Sequence, residues 1–385
     1  MLQRSPGRGS LAAGLRQAGV SCAPYHAGLP ADDRRRVQRD FVAERLDVVA
    51  ATIAFGMGID RSNVRYVIHA NTPRSMEHYQ QESGRAGRDG EPAECLLLFA
   101  ASDLALHRRL ALQDHALAPE RRRALERQLR EIGGYAVSPV CRHRLLVEHF
   151  GASYPAAGPG PAACKACDVC LGETRSLPPE EALLTAQKVL SAAWRAGGRY
   201  GAGYVAGLLL GRSDERSARN GHDALQVFGL LKEAGEAAVR SWIDQLIVQE
   251  LLEVAEGEYP LLRITEAGKA LCRGLGEVRL GVPAPPATRA KRKAKAPRLA
   301  GGAAADQELF ERLRRLRRLI AEKRGVPPYV VFHDSALVEM SARKPATAEA
   351  LLAVKGVGES KLARYGAVFL KVISGADPES ALGPP

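Results

Sequence analysis

Arg85 and Arg88 stand three residues apart in the run Gln81-Glu82-Ser83-Gly84-Arg85-Ala86-Gly87-Arg88-Asp89-Gly90, with a glycine immediately before each. A guanidinium keeps its charge at any pH a protein meets and presents a planar fork of N–H donors. Two of them on a turn kept clear of side chains suit a phosphate that is gaining negative charge, which is how an arginine finger works. The same run also reads as a solvated basic loop. A second group of residues points to metal. Of seven cysteines, Cys164, Cys167 and Cys170 form two overlapping C-x-x-C units, and Cys141 supplies a distant fourth thiol. Four thiolates close a tetrahedral structural zinc site. A redox reading lacks a βαβ context and leaves two thiols unexplained. Cys22, Cys95 and Cys272 read as core or surface thiols. Arg142, His143 and Arg144 start a helix facing solvent or DNA, with His143 able in principle to replace a ligand.

The arginine run needs elements to hold it. Val48 to Thr52 is a short apolar strand, and Phe55-Gly56-Met57-Gly58-Ile59-Asp60 is a turn punctuated by glycine. Glycines there let backbone approach a ligand, while Thr52 and Asp60 place a hydroxyl and a carboxylate beside it. A helix at 11–18, strands at 21–25, 46–52, 64–69 and 94–99, and a helix at 32–43 complete the pattern. Asp32 or Asp33 can cap that last helix, and Val37, Phe41 and Val42 form its stripe. Strand, loop, strand, helix and arginine loop is the order expected at the carboxyl edge of a parallel α/β sheet.

With those residues in view, AFGMGID and YQQESGRAGRDGE resemble motifs V and VI of superfamily 2 helicases, in the wording of the RecQ family of DNA helicases. Tyr25-His26-Ala27-Gly28-Leu29 matches that family's motif IV region. The resemblance implies a multidomain chain: an α/β RecA-like lobe on a parallel sheet (1–103), a helical zinc-binding subdomain (104–176), an RQC winged helix (177–278), a basic flexible linker (279–303), a small α-helical HRDC bundle (304–376) and a disordered tail (377–385). It implies an ATP-dependent 3′–5′ DNA helicase of repair and recombination. Arg88 would stabilise charge on the γ-phosphate, Arg85 would assist and Gln81 would position. Asp60, with Gly58 beside it, would face the nucleotide, and Thr52 the DNA backbone. Zn2+ is the structural cofactor. ATP and Mg2+ would bind only with a first lobe, because no G-x-x-x-x-G-K-[ST] and no DExH-like cluster occurs in the sequence. A strand expected before Leu11 has no good source either, so the expectation is a truncated or split gene product, or a late start.

Downstream, helices at 186–196, 203–210 and 237–251 precede a hairpin of strands 252–255 and 261–264, the pattern of a winged helix. Arg199 to Tyr204 and Asn220-Gly221-His222-Asp223 resemble the RQC domain, making His222 a DNA-contact candidate. Tyr259 sits at the hairpin tip, where it either stacks on an exposed base or packs on its own hairpin. Six basic residues between Arg289 and Arg298 make the linker a DNA-binding arm or a spacer. In the last unit Leu309, Leu313, Leu316 and Ile320 form a stripe, and Arg312, Arg314, Arg315, Arg317 and Arg318 fill the remaining face. Those arginines face DNA or are simply the wet side of the bundle. Lys355 and Lys361 flank a Gly-x-Gly turn whose N–H groups can hold a phosphate.

A net charge of +12 on 385 residues favours a polyanionic partner. The partners expected are single-stranded DNA and branched or duplex junctions, and a chain supplying the first lobe. No apolar run is long enough to cross a bilayer, and no secretory signal opens the sequence. Odd, clustered cysteines fit a reducing compartment, so the expected location is cytoplasmic and nucleoid-associated. A rival class is a non-catalytic DNA-binding accessory module carrying zinc and a winged helix. A zinc-dependent enzyme is disfavoured, because four cysteines close the metal to substrate.

Overall fold

The computed structural model describes residues 8–52, 61–112, 118–154, 164–255, 260–283 and 306–382. Gly58, Asp60, Tyr259 and the basic run of the linker lie outside them. The chain divides into two compact units, one made of residues 1–67, 82–95 and 294–385, the other of 68–81 and 96–293.

The lobe begins with α1 (Arg8–Gln17), β1 (Cys22–Tyr25), α2 (Ala31–Val42) and β2 (Val48–Ala51). β1 and β2 pair in parallel, with Cys22 opposite Val48 and Tyr25 opposite Ala51. Parallel neighbours need a crossover, and α2 supplies it by burying Val37 and Phe41. Asp32 and Asp33 occupy the first turn of α2, where negative charge meets the positive helix end. Neither makes the capping bond expected of it, because Pro30 holds the cap position. β3 (Tyr66–His69) pairs with β4 (Glu94–Leu97), with α3 (Met76–Ser83) between them. The bonds Glu94 N–H to Arg65 O and Leu98 N–H to His69 O advance together along both strands, so this pair is parallel too. Each strand is four residues long, and among the described residues the strands form two-stranded pairs.

Three helices follow, α4 (Ala101–Leu112), α5 (Pro119–Val137) and α6 (Arg142–His149). Ile132 and Tyr135 of α5 pack on Met76 and Tyr79 of α3, with Leu104, Leu145 and Leu146 around them. The winged helix comprises β5 (Thr174–Ser176), α7 (Pro179–Arg195), α8 (Ala202–Leu209), α9 (Glu215–Arg219), α10 (Glu236–Val248), β6 (Leu252–Ala255), β7 (Leu261–Ile264), α11 (Glu266–Cys272) and β8 (Gly281–Pro283). β6 and β7 are the expected antiparallel wing. Gly268 follows it where only a hydrogen fits, since a Cβ would lie 2.2 Å from the Leu251 carbonyl oxygen. Residues 281–283 were expected to be linker. They form a strand antiparallel to β5, stitched to α10 by Trp242 Nε1 and Gln245 Nε2, which both donate to Gly281 O (3.1 and 2.9 Å).

The bundle runs through α12 (Gln307–Arg324), α13 (Pro328–Val331), α14 (Asp334–Arg343), α15 (Ala348–Leu352), α16 (Glu359–Lys361), a π turn at Leu362–Gly366, α17 (Ala367–Ile373) and α18 (Pro378–Ala381). Leu313, Leu316, Phe332, Leu337 and Phe369 form its own core. Asp377 caps α18, accepting from Glu379 N–H and Ser380 N–H, and Ala381 is buried. Residues 377–382 therefore belong to the bundle, where a disordered tail was expected.

One contact in the second unit runs against stability. Asp244 of α10 accepts from Ala101 N–H at 3.1 Å and so caps α4. Burial nonetheless raises its carboxyl from 3.8 to about 6, with Asp103 adding to the rise. The native state then holds a proton that the unfolded chain has released between about pH 4 and 6, so stability falls as pH rises through that window. Asp244→Asn removes the penalty and keeps an acceptor. Allowing for partial solvent screening and a weaker neutral hydrogen bond, it should add about 1 kcal/mol at pH 7 to 8. A thermal melt should show a higher Tm there and no gain near pH 4.

Candidate functional site

The arginine loop hangs on the backbone of Val64 and the side chain of Arg65. Gly87 N–H donates to Val64 O at 2.9 Å, and Arg65 Nη1 donates to Pro92 O at 3.1 Å. Arg65 Nη2 also binds the fully buried carboxylate of Asp89. Gly87 is left-handed at φ +65°, and a Cβ there would press on Glu91 O at 3.0 Å, so the tight turn needs glycine. Arg88 is exposed and its Nε donates to Gly84 O at 3.3 Å. Arg85 is half-buried. Burial and then the like charge of Arg88 pull its guanidinium below the ordinary value, against the attraction of Glu82. An anion between the two would relieve that repulsion. Gln81 is exposed in the last turn of α3, and Thr52 follows β2, its N–H donated to Tyr25 O at 3.0 Å.

The metal centre belongs to the second unit. The four sulfurs of Cys141, Cys164, Cys167 and Cys170 all lie within 4.8 Å of one another. Tetrahedral Zn–S bonds of about 2.3 Å imply sulfurs about 3.8 Å apart, so the set fits zinc. Cys141 caps α6, and Lys165 turns through a left-handed φ of +54° so that Ala166 N–H and Cys167 N–H reach Cys164 Sγ at 3.4 and 3.2 Å. Burial opposes ionisation at Cys141, Cys164 and Cys170. It carries Cys170 up to about 12, while hydrogen bonds from Arg144 N–H and the neighbouring thiols outweigh it at Cys141 and bring that thiol down to about 7. The grouping contains no His143.

Arg142 was expected to face solvent or DNA. Instead its side chain is only 14% exposed, and Nε and Nη2 each donate to the Asp168 carboxylate at 2.9 Å while Nη1 binds Tyr135 O. Thr174 Oγ1 donates to the same carboxylate at 3.1 Å. The knuckle is thereby tied to α5, whose Tyr135 ring packs 5.2 Å from Tyr79 of α3, itself 5.1 Å from His69. His149 adds a 3.1 Å contact to Glu77. Hydrogen bonds from Ser75 and its own backbone, with His149, hold the Glu77 carboxyl down at about 2.

In the winged helix Tyr200 and Tyr204 stack with centroids 4.0 Å apart, and Tyr204 Oη lies 2.8 Å from His222 Nδ1. Arg216 covers both rings at 4.8 and 5.8 Å. His222 was legible in the sequence. Arg216 was missed: it lies twelve residues after Tyr204, and nothing beside it in the sequence points to the aromatic pair. In the bundle Lys355 is exposed, whereas Lys361 lies over the Phe332 ring at 5.5 Å. Of the turn N–H groups expected to be open to a phosphate, Val357 N–H donates to Val354 O at 3.1 Å, and the Lys355 N–H just before the turn donates to Glu339 Oε2 at 2.9 Å. The arginines of α12 are also not one wet face: Arg317 is fully buried, and Arg312 Nη2 donates to Val372 O and Ala376 O.

Comparison with known proteins matches residues 7–90 to the helicase conserved C-terminal domain, 101–171 to the RecQ zinc-binding domain, 180–289 to the RQC domain and 306–373 to the HRDC domain. The chain is a C-terminal portion of the RecQ family. It is 39% identical over 366 residues to the ATP-dependent DNA helicase RecQ of Haemophilus influenzae, covering 94% of this chain and 57% of that protein. To the Bacillus subtilis protein of the same name it is 36% identical over 93% of this chain and 56% of the relative. It thus spans little more than half the length of these curated relatives. The solved D. radiodurans RecQ HRDC domain 3 is 34% identical over 20% of this chain and 93% of that structure, with a TM-score of 0.17.

As a RecQ-family chain with a RecQ zinc-binding match and a four-cysteine cluster, it carries a structural Zn2+ site. Arg142 and Asp168 hold that site without touching the metal. Asp168→Asn should keep four cysteines and one zinc per chain but weaken zinc retention against a competing chelator by about 10- to 100-fold. Cys167→Ser should lose the metal outright, read as zinc content after gel filtration.

Proposed function

We propose that this chain supplies the arginine-bearing half of an ATP-dependent DNA helicase acting 3′–5′ in repair and recombination. The observation that carries this reading is the arginine loop: Arg85 and Arg88 stand three residues apart on a turn tied down by Gly87 N–H to Val64 O and by Arg65 to Asp89 and Pro92 O. A γ-phosphoryl group leaving ADP for water spreads negative charge over its peripheral oxygens, and a preplaced guanidinium stabilises that charge without reorganising. Arg88 takes this role from its exposed position. Arg85 assists, Gln81 positions the attacking water, and Gly58 and Asp60 meet the nucleoside side. The phosphates and Mg2+ would be held by a lobe carrying a G-x-x-x-x-G-K-[ST] loop, which this sequence does not contain.

DNA is the partner this reading requires. The winged helix offers Tyr200, Tyr204, His222 and Arg216 as one aromatic and cationic face, and Thr52, Lys355 and Lys361 add contacts from the lobe and bundle. Stacking and phosphate neutralisation would share the work of holding single strands and junctions. Tyr259 is the proposed strand-separating tip. The absence of a membrane-crossing helix among the described residues is compatible with a nucleoid-associated location.

The 385-residue chain alone should show no DNA-stimulated ATPase. Combined with a lobe bearing the phosphate loop, it should hydrolyse ATP, and Arg88→Ala should lower kcat by about a thousandfold or more with zinc content unchanged. Unchanged kcat in Arg88→Ala, or full activity of the chain alone, would contradict the reading.

A further inference from the structure

The α12 residue Arg317 is completely buried, and the carboxylate facing it comes from the lobe. Its Nη2 donates to Glu44 Oε1 and Oε2 at 2.8 and 3.0 Å, while Nη1 donates to Asp334 Oδ1 at 2.6 Å and Phe332 O at 2.9 Å. Asn63 completes the ring from the lobe side. Its Nδ2 donates to Glu44 Oε1 at 2.9 Å and Asp334 Oδ2 at 3.2 Å, and its Oδ1 accepts from Arg61 Nε at 2.8 Å. Arg61 in turn donates to Phe41 O near the end of α2 and to Leu46 O in the segment after it. Arg314 lies 3.5 Å from Glu44.

This network joins parts of the chain some 270 residues apart in sequence, Glu44 and Arg317 among them. The apolar cores do not: the bundle core contains no lobe residue, and the small core around Ala12, Cys22 and Ala50 contains none from the bundle. The bundle therefore folds on its own hydrophobic contacts and meets the lobe through charge and hydrogen bonds. A buried ion pair of this kind specifies geometry, because any other arrangement leaves a desolvated charge unmatched.

Asn63 is also the first residue of the support beneath the arginine loop. Its own carbonyl accepts from Arg65 Nε at 3.2 Å, Val64 O receives Gly87 N–H, and Arg65 grips Asp89 and Pro92. Asp334 of the bundle is near enough to help raise the Glu91 carboxyl, after burial and Asp89.

We propose that the lobe surface formed by Glu44, Arg61 and Asn63 is a docking site for the C-terminal bundle of the same chain, and that Asn63 is a positioning residue through which docking fixes the arginine loop. The functional meaning of the second part rests on the reading of that loop given above; the docking itself does not. When the bundle is seated, Asn63 is clamped between Glu44, Asp334 and Arg61, and the turn from Gly84 to Gly90 is held at its base. When it leaves, Glu44 and Arg317 lose each other and the clamp on Asn63 loosens.

Hydrogen–deuterium exchange on the intact 385-residue chain tests this without nucleotide, so its outcome is independent of any ATPase result. Glu44→Gln keeps the side-chain volume and removes the charge; Asn63→Ala removes the clamp. Both should raise exchange at Gly87 N–H by about fivefold or more, and Glu44→Gln should do the same from Arg314 to Arg317, the stretch of α12 that carries the docking arginines. Amides of α17 in the bundle core should be unchanged. The proposal is overturned if Gly87 exchanges as in the unaltered chain in both variants. It is equally overturned if α17 exchanges faster, since the network would then be a folding contact and not a docking contact.

Discussion

A guanidinium cannot escape burial by losing its proton, so every arginine this fold takes inside must be met by carboxylates and carbonyl oxygens. That constraint decides most of the architecture that matters. Arg142 is met by Asp168, and the zinc knuckle is thereby fastened to α5. Arg65 is met by Asp89 and Pro92 O, and the turn carrying the two loop arginines is fixed. Arg317 is met by Glu44 and Asp334, and the bundle sits on the lobe. Arg85 and Arg88 differ from these three. Burial and the like charge of Arg88 disfavour the charge of Arg85, with Glu82 attracting it, and Arg88 Nε donates to Gly84 O.

Zinc contributes in the same economy of charge. Four thiols in one buried cluster cannot all ionise by themselves, and the divided behaviour of Cys141 and Cys170 reflects that. A divalent cation removes the conflict and locks the loop from Cys164 to Cys170 against α6. From there the path to α3 is side-chain packing: Arg142 on Tyr135, Tyr135 on Tyr79 and Tyr79 on His69.

Much of this was legible in the sequence, and the reasons are local. The wing strands 252–255 and 261–264 fall where alternation and the intervening Gly-Pro turn place them, and the four cysteines announce themselves by spacing. Helix ends were less accurate: α7 starts at Pro179 because proline suits the first helical position, seven residues before its apolar stripe is obvious. What the sequence could not reveal were pairings across long separations. Nothing near Arg142 points to Asp168, and nothing near Arg317 points to Glu44, so both arginines read as solvent-facing. The strand at 281–283 was hidden for a similar reason, since its partner Thr174–Ser176 lies more than a hundred residues earlier. Gly58, Asp60 and Tyr259 fall outside the described residues, and their expected roles rest on the motif resemblance alone.

The central claim is that Arg88 and Arg85 recognise a phosphoryl group in transit more strongly than the resting nucleotide. The most direct measurement is binding of MgADP–aluminium fluoride, a mimic of the transferring phosphoryl group, to a separate lobe carrying the phosphate loop, with and without this chain. The account predicts that adding the chain tightens binding of that mimic by orders of magnitude while changing ATP affinity little, and that Arg88→Ala abolishes the difference. Equal tightening of both ligands, or of neither, would contradict it.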